Sequence, residues 1–246
     1  MGMDFAGYLD SLATDGAALA AAARTVPLDA RVPSCPGWTV RDLVAHTGGV
    51  HRGRGEVVRR RLTSRPDFDA PAAPPDADLL DWYDEGLAEL LEVLRSTDPA
   101  TPTWTWWPPD QTAGFWYRRM AQETVIHRVD AELAAGLSPR VGDDLAVDGI
   151  DEVLDCFLSD DWSDHPMGGH GERVQVTAGS TSWLVTLDPT SVGLSRDSGP
   201  ATGTVRGSAA GVLLWLWGRA PAAAVDLSGD PAATRLLREY LAVATE

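Results

Sequence analysis

The chain has 246 residues, enough for one large domain or two modest ones around a real hydrophobic core. Its formal charge of −16 argues against a nucleic-acid partner, because a phosphate-coating protein needs a basic face. Every basic residue is arginine, which excludes Schiff-base lysine catalysis and a P-loop lysine, and no apolar run approaches the roughly 20 residues of a membrane helix.

The two cysteines, Cys35 and Cys156, are too few for a disulfide framework and form no C-x-x-C pair, so zinc-finger and redox-dithiol readings drop out. The segment Met1–Asp10 lacks a basic stretch followed by an apolar core, and a cytoplasmic protein is expected.

In chain order, the first helix is predicted from about Asp4 to Arg24, with Phe5, Leu9, Leu12 and Leu19 on one face. A loop, Val26–Trp38, holds Pro27, Pro33, Pro36 and Gly37. Thr39 reads as an N-cap, with Asp42 completing an approximate capping box, and opens a second helix to about Leu62. The Pro-rich loop Arg65–Pro75 leads to a third helix, Asp76–Ser96, with Leu80, Tyr83, Leu87, Leu91 and Leu94 as its stripe. An aromatic loop, Thr103–Asp110, precedes a fourth helix, Ala113–Ala135, stopped at Gly136. Four helices of this length read as an up-down bundle.

Past Pro139 the pattern changes. Asp143–Leu158 reads as a fifth helix bridging the halves. Arg173–Thr177, Trp183–Leu187 and Thr202–Arg206 read as strands, Ala209–Trp217 as a buried helix, Ala223–Leu227 as another strand and Asp230–Val243 as a final amphipathic helix. The fold class is therefore α+β, with a bundle over residues 1–140 and a small α+β domain over 141–246.

The chemistry concentrates on the fourth helix. Trp116, Met120, Glu123, His127, Asp130 and Ala134 follow alternating steps of four and three, the seam of a bundle helix. Glu123, His127 and Asp130 fall within about 60° of one another on that face. Ionisable groups on three successive seam positions are costly unless they pair or ligate a metal. On the second helix Leu43, His46, Val50 and Val57 share a face, and His46 stands where a core contact is expected. Bundles build metal sites from facing helices in this way. His46, Glu123 and His127 would supply two imidazoles and a carboxylate and leave open positions for water, thiolate or substrate. Asp130 is expected to orient His127 or a bound water.

Two stretches carry a resemblance to a known family. Pro36-Gly-Trp-Thr-Val-Arg-Asp-Leu-Val-Ala-His46 and Arg118-Arg-Met-Ala-Gln-Glu-Thr-Val-Ile-His-Arg-Val-Asp130 resemble the second- and fourth-helix signatures of the mycothiol-dependent maleylpyruvate isomerase family, part of the DinB-like superfamily. Leu145–Leu154 and Gly229-Asp-Pro231 are similar to segments of its C-terminal domain. The resemblance implies a DinB-like metal-binding bundle followed by a sterol-carrier-like α+β module packed beside the site. It implies zinc, or another divalent metal, on His46, Glu123 and His127, and mycothiol, the small thiol of actinobacteria, as cofactor. The metal would hold the thiol as a thiolate, a nucleophile at neutral pH. It would then add to an activated double bond and leave again, as in an isomerase, or displace a leaving group and remain attached, as in a transferase. The implied partners are this small thiol and a small electrophilic substrate, with no nucleic acid and no membrane, in a monomer or small homo-oligomer.

Other residues are weighed beside this set. Arg118 and Arg119, and Arg52 and Arg54 on the second helix, are candidates to clamp a carboxylate. His51 lies five residues from His46 and is expected to point elsewhere. His165 and His170 flank a loop with no support for a metal role. Trp104, Trp106, Trp107 and Trp116 either wall a pocket or pack between bundle and C-terminal domain, the second being favoured. Cys35 reads as incidental, Cys156 as buried, and Trp215 and Trp217 as core. Two alternatives to a thiol-dependent enzyme stay open: a metal-dependent hydrolase with bound water in place of the thiol, and a non-catalytic ligand-binding protein with a structural metal.

Overall fold

A computed structural model describes residues 3–245. The described residues divide into two compact units, 3–140 and 141–245.

The first unit is a four-helix bundle: α1 (Phe5–Ala23), α2 (Val40–Arg59), α3 (Leu79–Ser96, preceded by a 3-10 turn) and α4 (Ala113–Ala134). Local chemistry sets the ends. Asp4 caps α1 by accepting from the Gly7 amide, and Thr39 with Asp42 forms a reciprocal capping box on α2. Beyond α4, Gly136 takes a left-handed conformation (φ 71°), which only glycine adopts without steric cost. Leu12, Leu19, Leu43, Leu90, Leu94 and Met120 are almost wholly buried, each removal from water contributing about 1.5–3 kcal/mol.

The helix directions are up, down, down, up, where simple alternation was expected. Phe5 meets Tyr117 and Asp15 meets Arg128, so α1 and α4 run parallel. Arg41 pairs with Asp76 near the start of α3 and Arg52 with Glu89 further along, so α2 and α3 are parallel as well. The segment between α2 and α3 explains this. A helix of about 20 residues spans about 30 Å, and the extended Pro-rich loop is long enough to carry the chain back to the end from which it started. The buried face of α2 differs too. Leu43 and Val57 of the stripe read in the sequence are buried, but so are Val40, Val44, Thr47, His51 and Val58, whereas Val50 is half-buried and His46 exposed, so the buried face is broader and centred away from His46.

The second unit holds α5 (Asp143–Glu152), a π-helical turn (Val153–Leu158), β1 (Glu172–Ala178), β2 (Thr181–Asp188), β3 (Ser191–Ser195), β4 (Gly203–Gly207), α6 (Ala209–Leu216), β5 (Asp226–Gly229) and α7 (Pro231–Ala244). The sheet order is β3-β2-β1-β4-β5, with β1 and β4 parallel and every other pair antiparallel. Strand β3 was not expected, and β5 lies a few residues beyond the predicted strand, after a 3-10 turn over Ala222–Ala224. Cys156 is half-buried on the π turn instead of buried in a regular helix. Trp215 is core, while Trp217 is half-buried against Phe157.

Candidate metal centre

Helices α2 and α4 pack antiparallel, so His46, early in α2, meets Glu123 at the middle of α4 and His127 one turn beyond it. Each imidazole presents Nε2 to the same carboxylate oxygen. His46 Nε2 is 3.1 Å, and His127 Nε2 3.2 Å, from Glu123 Oε1. Among the described residues this trio is the one His/Cys/Asp/Glu group whose ligand atoms gather closely enough to hold a metal, all within 4.8 Å of one another. Nitrogen and oxygen ligands at about 2.0–2.2 Å from a tetrahedral zinc stand about 3.3 Å apart, so the donor set fits such an ion.

The far side of each buried ligand is held in place. Arg119, with its side chain 4% exposed, donates to Glu123 Oε2 at 2.6 Å and leaves Oε1 facing the imidazoles. Asp130, fully buried, accepts from His127 Nδ1 at 3.0 Å, so His127 Nε2 points at the site. Asp130 also accepts from Ser34 Oγ at 2.5 Å and Cys35 Sγ at 3.3 Å. Trp38 stacks on His127, with ring centroids 6.0 Å apart, and tilts against His46 at 4.9 Å.

Charge follows this geometry. Burial raises the Glu123 carboxyl, but the His127 charge, hydrogen bonds from His127 and His46, and Arg119 together hold it well below its ordinary value. Burial lowers His127, yet the Glu123 charge and the hydrogen bonds to Asp130 and Glu123 raise it to about 9. In the metal-free protein, then, an imidazolium proton stands where an ion would bind.

His46 is not the core contact the sequence suggested. Its side chain is 40% exposed, and the site lies at the bundle's edge. Arg119 sits against Glu123, whereas Arg118 is half-buried and about 140° round the helix from Glu123. His51 points away as expected, fully buried, with Nε2 2.9 Å from Thr124 Oγ1. His165 and His170 are exposed. Ser34, Cys35 and Trp38 were missed as site residues; their position in the loop that leads into the capped α2 was the one available signal.

A cavity of about 950 Å³ opens one turn along α2 from His46. Gly49, Val50, Gly53 and Arg54 form its floor, the loop around Phe68 one side, and Trp104 and Trp106 another. Those two tryptophans therefore wall a pocket, the less favoured of the two expectations.

Fold and site together define a two-domain α+β protein with a His-Glu-His centre in its helical domain. Residues 9–132 match the mycothiol maleylpyruvate isomerase N-terminal domain, and residues 144–236 match the MDMPI C-terminal domain, the second domain of the same family. The chain belongs to the mycothiol-dependent maleylpyruvate isomerase family, a family of enzymes. A crystal structure of a mycothiol-dependent maleylpyruvate isomerase carrying a histidine-to-alanine substitution is similar, with a TM-score of 0.65 and 17% identity over 92% of this chain and 93% of that one. The structure without that substitution gives 0.62 at the same identity and coverage. At this identity the likeness is one of fold. No curated protein matches the chain. Among the described residues no helix is long and apolar enough to cross a membrane.

Proposed function

We propose that this chain is a divalent-metal enzyme that uses mycothiol to isomerise, or transfer the thiol to, a small electrophile, with His46 Nε2, Glu123 Oε1 and His127 Nε2 as metal ligands and zinc as the first candidate ion. The observation that carries this reading is the convergence of three donor atoms at ligand-to-ligand spacing, each buried ligand being fixed from behind by Arg119 or Asp130. A structural zinc site is closed by four protein ligands, whereas three ligands leave a coordination position for chemistry. A bound divalent ion would lower the pKa of the cofactor thiol and present it as thiolate at neutral pH.

The chain's own residues supply the rest. Arg119 holds Glu123 in one orientation and offsets part of its charge. Asp130 keeps the His127 proton on Nδ1, which leaves Nε2 as the donor. Trp38 covers one side of both imidazoles and keeps water from that side. The half-exposed His46 marks the open side, where thiol and electrophile would approach. The family match supports mycothiol as the thiol and an electrophilic small molecule as its partner.

The test is metal content per chain, by elemental analysis, of wild type and His127→Ala after incubation with zinc, followed by turnover of candidate electrophiles with and without mycothiol. About one zinc per wild-type chain, little in the variant, and thiol-dependent turnover are expected. Metal-free wild type would refute the centre. Metal-dependent turnover indifferent to thiol would replace the reading with a hydrolase.

A further inference from the structure

The loop that enters α2 is knitted to itself. Val32, buried, donates its amide to the Trp38 carbonyl at 3.1 Å, Cys35 donates to Val32 at 3.2 Å and Trp38 to Cys35 at 3.0 Å. Arg31 and Thr39 form a β-bridge across the base of this turn, and Val40 donates to the Ala30 carbonyl. Gly37 closes it at φ 91°, a left-handed conformation that glycine adopts at little steric cost. Ser34 and Trp38 are therefore carried by one closed frame, which runs directly into the capped start of the helix that bears His46.

That frame meets the centre from two sides. Trp38 lies against both imidazoles. Ser34 Oγ donates to Asp130 Oδ1 at 2.5 Å, while Oδ2 of the same carboxylate accepts from His127 Nδ1 at 3.0 Å and from Cys35 Sγ at 3.3 Å. The last torsion of an aspartate is soft, with broad two-fold minima, so the rotamer alone does not fix where its oxygens face. A donor anchored in the frame does fix it: with Oδ1 held by Ser34, Oδ2 is turned toward the imidazole. A hydroxyl-to-carboxylate bond is charge-assisted and about twice as strong as a neutral one, whereas a thiol is a weak donor. Ser34 thus acts on His127 through Asp130, with its own hydrogen bond on no ligand residue.

We propose that Ser34 is a positioning residue of the centre: through Asp130 it aims His127 Nε2 at the metal position and so sets how tightly the ion is held. In speaking of an ion the inference rests on the function proposed above; the hold of Ser34 on the His127 ring does not.

The test uses the full chain with Ser34→Ala, Ser34→Cys and Ser34→Thr. It is read by competition for zinc against a chromophoric chelator and by the Nδ1–H proton resonance of His127 in histidine-labelled protein. Loss of a directly bonded outer partner weakens metal binding by about 10–100-fold, and Ser34 stands one bond further out, so Ser34→Ala is expected to weaken it by about 3–10-fold. Ser34→Cys, which keeps a weaker donor, should fall between alanine and wild type. Ser34→Thr keeps the hydroxyl and should stay within about twofold of wild type. The Nδ1–H resonance should move and exchange faster with water in Ser34→Ala, zinc-loaded and metal-free alike, and return in Ser34→Thr. A merely structural serine would lower the unfolding midpoint without moving that resonance. Zinc affinity within about twofold of wild type in Ser34→Ala, an unmoved resonance, or a threonine variant as weak as the alanine one would each overturn the proposal. Should Ser34→Ala not fold, the cysteine variant decides, because an unmoved resonance there refutes the proposal equally. A wild type found to bind no zinc would remove the metal-enzyme reading, and the metal-free resonance would still show whether Ser34 aims His127.

Discussion

Replacing Asp130 by asparagine tests whether the second layer around the centre does what its geometry indicates. Asp130 is fully buried and takes hydrogen bonds from His127 Nδ1, Ser34 Oγ and Cys35 Sγ. Asparagine keeps the shape and one acceptor oxygen but places an N–H₂ against one of these donors and removes the charge facing His127. Ser34 can rotate its hydroxyl to accept, so the fold should survive. The His127 ring, however, loses the carboxylate that fixes its tautomer and raises the basicity of Nε2. Loss of such a carboxylate weakens metal binding by about 10–100-fold, or about 1.4–2.8 kcal/mol. Competition for zinc against a chromophoric chelator reads this directly, with urea unfolding of the metal-free proteins as the control for folding. A zinc affinity within about twofold of wild type would refute the argument, because Asp130 would then be a buried structural carboxylate with no hold on the centre.

Three further outcomes are expected. The metal-free protein carries a proton on His127 that zinc must displace, since its pKa is raised from 6.5 to about 9. Calorimetry at pH 7.5 in buffers of different ionisation enthalpy should report about one proton released per zinc, falling toward none above pH 9. Because the folded pKa is the higher one, the stabilisation from this group is complete below pH 6.5 and is lost as pH rises through 9 in the metal-free state. His51 shows the opposite sign. Burial, assisted by the nearby His127 and His46 and opposed by Glu123, lowers it from 6.5 to about 4, so the metal-free fold should lose up to about 3 kcal/mol as pH falls across that window. His51→Gln should flatten that part of the urea-stability profile, and an unchanged slope would show that His51 is not its source. Finally, a Cβ at Gly48 would stand 2.5 Å from the Trp82 ring, so Gly48→Ala should cost about 1–3 kcal/mol in thermal unfolding; an unchanged midpoint would mean that Trp82 yields freely.

Much of this was legible because it is local. The Thr39–Asp42 capping box and the Gly136 stop marked their helix ends, and four-and-three spacing gathered Glu123, His127 and Asp130 on one face of α4. The rest depends on tertiary contacts. The α2 stripe was misjudged because glycines at 48, 49, 53 and 55 carry no hydropathy signal, yet they are all buried. His51 occupies the middle of the buried face while His46 sits at its edge, a distinction that spacing from a single histidine does not make. Strand β3 is short and has Gly193 at its centre, which weakens both propensity and alternation. Ser34 and Cys35 reach Asp130 across some 95 positions of chain, and beyond their place in the loop leading into α2 nothing local points to it.

The bundle's connectivity then bears on the chemistry. Had the helices simply alternated, α2 would sit beside α1 and α3, with α4 across the diagonal. With the directions up, down, down, up, α2 packs against both α3 and α4, and the face it shares with α4 carries His46 beside Glu123 and His127. The loop that leads into α2 is drawn to the same end, where it delivers Ser34, Cys35 and Trp38. The result is a gradient across a few ångströms, from His46 at 40% side-chain exposure through Glu123 at 16% to Asp130 at zero. The dry end strengthens each hydrogen bond that aims a ligand, and it is tolerable because every buried charge there has a partner. The wet end leaves His46 open to solvent, where, on the function proposed above, a thiol and an electrophile would exchange without the bundle opening. A centre buried at the middle of the seam would have gained rigidity but lost that access, which is why the displaced position of His46 argues for turnover at the site more strongly than the core position first expected of it.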